Sequence, residues 1–169
     1  MRSMMLALLG ALLLTACGTR PYTPVQYPLR DGLISKFNTT APVQVINAQP
    51  STEQTIVYSY SGMKLSATLN TITETMVQQT AGELAKNTQS NGVAKAKTIE
   101  LKVASLQSRY IAFFWKSNIV YEARLGNGAL IEKTVPHSSG DLFQDLNGCI
   151  AEGVMNLLND EKVRAYLAS

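Results

Sequence analysis

The 169-residue chain predicts an α+β fold, a two-layer sandwich in which two helices pack on one face of a mainly antiparallel sheet of about four to five strands. Three features predict it. Two stretches carry apolar residues at helical spacing, each as a single stripe that needs a surface to cover it. Several runs of β-branched and aromatic residues alternate with polar ones. Compact turns rich in Gly and Asn separate those runs.

Taken in order, Val43-Gln44-Val45-Ile46-Asn47-Ala48 opens the domain as a short β-rich run closed by Gln49-Pro50-Ser51. Thr55-Ile56-Val57-Tyr58-Ser59-Tyr60 alternates again and stops at Ser61-Gly62, which suggests a second strand. Leu65, Leu69, Ile72, Met76 and Leu84, with polar residues between them, predict a helix of about six turns. The turn formers NTQSNG, residues 87–92, end it. Ile99, Leu101 and Val103 alternate with Glu100 and Lys102, as in a strand with one wet face. Arg109 to Leu125 is strongly β-prone, and Lys116-Ser117-Asn118 marks a turn or a bulge inside it. Gly126-Asn127-Gly128 then hands over to Ala129–Val135 as an antiparallel partner. Ser138 or Ser139 is placed to cap a last helix whose apolar face is Leu142, Leu146, Cys149 or Ile150, Gly153 or Val154, Leu157 and Leu158. Asn159-Asp160 interrupts it before Ala165-Tyr166-Leu167.

The amino terminus carries a different signal. Arg2 is the one charge before an uninterrupted apolar or small-residue stretch from Met4 to Ala16. That stretch is short of the roughly 20 residues a spanning helix needs. A positive start, a short apolar core and a small residue at its end make the secretory pattern. Leu14-Thr15-Ala16-Cys17 resembles the lipobox of bacterial lipoproteins. The resemblance implies that residues 1–16 are a signal peptide cut between Ala16 and Cys17, and that the Cys17 thiol carries diacylglycerol. A thiolate is the side chain most readily alkylated, which is the chemical reason for cysteine there. Gly18 stands where the family's inner-membrane retention signal has aspartate, so the implied destination is the Gram-negative outer membrane, with the domain facing the periplasm.

Residues 17–42, with Pro21, Pro24, Pro28 and Pro42 and no periodicity, read as a tether standing the 43–169 domain off the bilayer. Tyr22, Tyr27 and Phe37 interrupt it and are expected to dock on the domain or the headgroups. The element order of residues 43–169 is similar to that of small envelope lipoproteins of the LptE and YajG kinds, which implies a non-catalytic envelope role.

Removing the signal leaves 14 basic against 12 acidic residues with no basic run. The electrostatic footprint of a nucleic-acid binder is therefore missing. With Cys17 acylated, Cys149 has no partner in the chain, and its place in a helical pattern suggests a buried, inert thiol. His137 is the only histidine. Ser138, His137 and Asp141 are too close in sequence to form a triad, and neither a zinc motif nor a phosphate loop is present. Asp141, Asp145 and Glu152 are expected on the solvated side of the last helix. No cofactor, no metal and no catalysis are expected. Phe113, Phe114 and Trp115 are the remaining candidates, for binding a partner. Neighbouring strand residues point to opposite faces, so at least one of these rings must lie off the core. The expected function is an outer-membrane-anchored accessory or assembly lipoprotein that binds an envelope protein, with a periplasmic carrier of lipid or another apolar ligand as the alternative.

Overall fold

Nine strands and three helices follow one another in residues 18–90 and 96–169, the parts of the chain that the computed structural model describes. The signal-like stretch, the expected cleavage point between Ala16 and Cys17, and Cys17 itself lie outside the described residues. The elements are β1 (Thr19–Pro21), β2 (Phe37–Thr39), β3 (Val43–Asn47), β4 (Gln54–Tyr60), β5 (Met63–Thr68), α1 (Leu69–Asn87), β6 (Thr88–Ser90), β7 (Lys97–Ile111), β8 (Phe114–Leu125), β9 (Leu130–Ser139), α2 (Leu142–Leu158) and α3 (Glu161–Ala168).

The sheet corrects the expectation of four to five mainly antiparallel strands under two helices. It has seven strands in the order β1-β5-β4-β7-β8-β9, with β3 also on β7, and β2 and β6 form a separate parallel pair. Three of its pairings are parallel, β1 with β5 and both β3 and β4 with β7. The reason is the length of β7. Its 15 residues exceed either neighbour, so β3 covers Lys97–Leu101 while β4 meets the same edge further along, with Tyr58 opposite Ser108. The third helix is separate because Asp160, itself extended, restarts the helical backbone by capping Lys162 and Val163.

A bulge explains why β7 does not read as one strand. Ile99, Leu101 and Val103 are buried at odd positions, but the register shifts between Val103 and Ser105, so Leu106 and Ser108 face inward at even ones. A bulge inserts one residue and changes which side chains share a face. The antiparallel ladder with β8 then runs without interruption to Ile111 opposite Phe114. The chain therefore turns at Ala112-Phe113, and Lys116-Ser117-Asn118 is regular strand.

Both main helices lie on one face of the sheet, α1 over β3 and β7, α2 over β8 and β9. Ile72, Met76, Ile99, Leu101, Ile119, Tyr121, Leu146, Ile150 and Leu157 fill the space between the layers with no more than 1% exposure. Residues 18–42 lie along this body. Tyr22 and Ile34 are buried, and the prolines hold the backbone extended over the helices. The Tyr22 hydroxyl donates to Asn147 Oδ1 of α2 at 2.6 Å, and the Val25 N–H donates to the same oxygen at 3.1 Å. On α1, Gln79 Nε2 donates to the Tyr27 carbonyl at 2.6 Å. At the far end Lys97 Nζ donates to the carbonyls of Tyr166 and Leu167 at 2.6 and 3.1 Å, satisfying the free end of α3 with a cation where the helix dipole favours one.

Two stability predictions follow from these contacts. Tyr22→Ala should cost about 3–5 kcal/mol and Tyr22→Phe about 1 kcal/mol in urea denaturation; an alanine variant as stable as the parent would remove the strap from the core. Lys133 Nζ lies 2.8 Å from Asp160 Oδ2. Burial raises the Asp160 pKa, but the hydrogen bonds from Lys133 and from the backbone of Lys162 and Val163 outweigh it and hold the carboxyl below its usual value. A carboxyl lowered on folding adds stability that is complete above its unfolded value and lost as the pH falls through the folded one. Asp160→Asn should accordingly melt earlier than the parent at pH 7, with the gap closing below about pH 4.

Candidate functional site at the hairpin tips

Two hairpins end side by side at one end of the sheet because β4 and β7 are parallel neighbours. The β4–β5 turn is Ser61-Gly62, with φ of 47° and 82°, and the β7–β8 turn is Ala112-Phe113, with φ of 45° and 75°. Two-residue hairpin turns with both central residues at positive φ match the twist of the strands, and Asn-Gly is the usual occupant. The first turn has its glycine. The second places Ala and Phe in a conformation that costs of order 1–3 kcal/mol for each non-glycine residue.

That cost presents an apolar surface to solvent. Phe113 is 82% exposed, Phe114 55%, Tyr60 52%, Ile111 41% and Met63 38%. Tyr60 and Met63 share a face of the sheet with Tyr110, whose ring is 5.2 Å from that of Tyr60 and 5.0 Å from that of Trp115, while Ile111 and Phe114, one rung further, point to the other face. The Trp115 Nε1 donates to the Tyr58 hydroxyl at 3.3 Å. Of the three aromatics singled out in the sequence, Phe113 and Phe114 are surface groups, and Trp115 lies on the opposite face from Phe114, half-buried against Tyr110 and Tyr58. Tyr60, Met63 and Ile111 complete the patch. Tyr60 and its Ser61-Gly62 stop are visible in the sequence, but nothing local says that this turn lies beside the other.

Exposed cations border the patch. Lys64 follows Met63, and Arg109 pairs with Lys116 across the β7–β8 ladder just behind Ile111 and Phe114. The strap also starts here: Thr19 of β1 pairs with Lys64, so Gly18, the residue after Cys17, stands at the tip end.

The carboxylate and hydroxyl groups do not assemble into an active site. Asp145 is fully buried, correcting its expected place on the wet side of the helix. Its Oδ2 accepts from Ser108 at 2.6 Å and from Ser117, two serines directly opposite each other on β7 and β8. The first turn of α2 is pressed onto the sheet; both hydroxyls donate to the same oxygen, and among the described residues the buried Oδ1 has no hydrogen-bond partner. Asp141, and neither serine, caps α2 by accepting from the Gln144 N–H at 2.9 Å; Ser138 and Ser139 close β9. His137 packs against α2 at Gly148, where an added Cβ would collide with its Nε2. Cys149 is buried, and its thiol is pushed well up by desolvation and then by the charge of Asp145, which keeps it protonated and unreactive. Among the described residues no group of three or more His, Cys, Asp or Glu side chains is placed to hold a metal, and no helix is long and apolar enough to cross a membrane.

Comparison with protein-family models and with curated proteins finds no match to this chain. The tips are thus read from their own geometry. Because Phe113 sits in a backbone conformation it disfavours, the double variant Ala112→Asn, Phe113→Gly should be more stable than the parent by about 1–3 kcal/mol in urea denaturation. A destabilised double variant would mean that the ring serves the fold.

Proposed function

We propose that this protein is a lipoprotein of the outer membrane, acylated at Cys17, with a non-catalytic accessory or assembly role in the cell envelope. The observation that carries this reading is the position of β1. Gly18 directly follows the lipobox cysteine, and the next residue, Thr19, pairs with Lys64 of β5 at the tip end. Acyl chains on Cys17 would therefore draw that end towards a bilayer, with the body projecting into the periplasm. One chain binds a bilayer only marginally, and the two or three chains of a lipoprotein cysteine anchor it stably.

Such an anchor leaves two surfaces turned to the compartment. One is the open face of the sheet, where Glu100, Lys102, Glu122 and Arg124 line a charged hollow. The other is the outer edge of β9, which pairs only with β8 among the described residues. An unpaired edge takes an extended segment of another chain by continuing the ladder. Pro136 lacks an N–H and limits such pairing to the stretch before it. We infer that a protein partner binds along Leu130–Val135. The carrier alternative has no observation of its own, since side chains occupy the space between helices and sheet.

Labelled palmitate should enter the wild-type protein and not Cys17→Ser, and the variant should leave the outer-membrane fraction. A photo-crosslinking residue at the exposed Thr134 should capture one discrete envelope protein in cells. Unlabelled wild type would end the anchoring reading, and crosslinking no stronger than from the exposed Gly140 would end the edge-strand one.

A further inference from the structure

We infer that the two hairpin tips are a second membrane-binding element, which seats Phe113, Phe114, Ile111, Tyr60 and Met63 in the headgroup and upper acyl region of a phospholipid leaflet. The inference rests on the anchored reading above and names what the patch touches.

Several observations select a bilayer as the occupant. The patch is convex: its side chains stand on two protruding turns, and Phe113 is 82% exposed. Protein hot spots are held in complementary pockets, whereas a fluid interface accepts a projecting ring without a matching cavity. Its composition is the aromatic and aliphatic mixture that favours the water–hydrocarbon boundary, where amphipathic elements sink about 5–10 Å. Insertion exposes little backbone, because the strands pair as far as Ile111 opposite Phe114 and Tyr60 opposite Met63. Unpaired backbone groups are what hydrocarbon excludes most strongly.

Charge and chain direction agree with this. Lys64, Arg109 and Lys116 are exposed immediately behind the apolar tips, at the depth where lipid phosphates would lie. Basic residues near an anionic leaflet add attraction, within a Debye length of the surface. Of the carboxylates near this end, Asp141 is engaged in capping α2 and Asp145 is buried on Ser108 and Ser117, on the helix side of the sheet. Gly18, the residue that follows Cys17 in the sequence, stands at this end. An acylated Cys17 and the tips would thus meet the same leaflet, two weak attachments made into one by proximity. The turn's backbone strain fits this use, since an exposed ring is kept where glycine would serve the fold better.

The test uses the full chain, isolated from membranes as the cell makes it and reconstituted into phosphatidylethanolamine/phosphatidylglycerol vesicles containing lipid brominated on the acyl chains. Trp115 is the only tryptophan. In a Trp115→Phe background, Phe113→Trp or Phe114→Trp places one reporter at a tip, and Asn127→Trp places one in the β8–β9 turn at the opposite end. Bromolipid should quench either tip reporter at least about threefold more than the one at 127, with the shallow bromine positions most effective. Equal, weak quenching at both ends, with both reporters open to aqueous iodide, would overturn the inference. So would a tip reporter shielded from iodide but not reached by bromine, because protein would then cover it. Intact mass of the same preparation reports acylation of Cys17 separately. Tip quenching without acyl mass would remove the anchor and keep the tips; acyl mass without quenching would do the reverse.

Discussion

One strand sets the dimensions of this molecule. β7 is long enough to need two parallel neighbours end to end on one edge, and the bulge at Ala104 lets it keep its inner face apolar past the point where simple alternation fails. Everything placed on the sheet takes its position from that ladder. It separates the β7–β8 turn from the β8–β9 turn by the length of β8, and it brings the β4–β5 turn beside the first. It also aligns Ser108 with Ser117, which together receive the buried Asp145.

The helix layer is locked from both ends of the chain. The strap at residues 18–42 bridges α1 and α2 through Tyr22, Val25 and Tyr27, and Lys97 ties the last carbonyls of α3 to the start of β7. Buried side chains and satisfied polar groups therefore dominate the interior. Conformational cost is concentrated elsewhere, in the turn at Ala112-Phe113, where two non-glycine residues hold positive φ under exposed rings. Strain at an exposed apolar turn is informative because nothing in the packing requires it.

Much of the fold was legible. Helix α2 shows why: Leu142, Leu146, Cys149, Ile150, Gly153, Val154, Leu157 and Leu158 are all buried, as their spacing implies. The Gly126-Asn127-Gly128 hairpin and the strand at Val43–Asn47 were equally readable from local chemistry. What failed did so for stated reasons. Leu65 belongs to β5 and not to the helix, because an apolar residue at the right spacing does not say where a strand ends and a helix begins. The prolines of 18–42 read as a tether with Tyr22, Tyr27 and Phe37 docking along the way, and the extent of the contact was not legible: Tyr22 and Ile34 are buried, and the segment is a strap along the body.

The sequence by itself determined the apolar stripes, the β-prone runs and the fact that Phe113, Phe114 and Trp115 could not all face inward. Those are properties of neighbouring residues, whose periods and turn preferences are short-range. Only the tertiary structure decided that Phe113 occupies a turn, that Trp115 packs on Tyr110 and Tyr58, that Tyr60 and Met63 stand beside the aromatic turn, and that Asp145 is buried. Each of these depends on the pairing of strands far apart in the chain, and a parallel contact such as Tyr58 with Ser108 leaves no local mark in either segment.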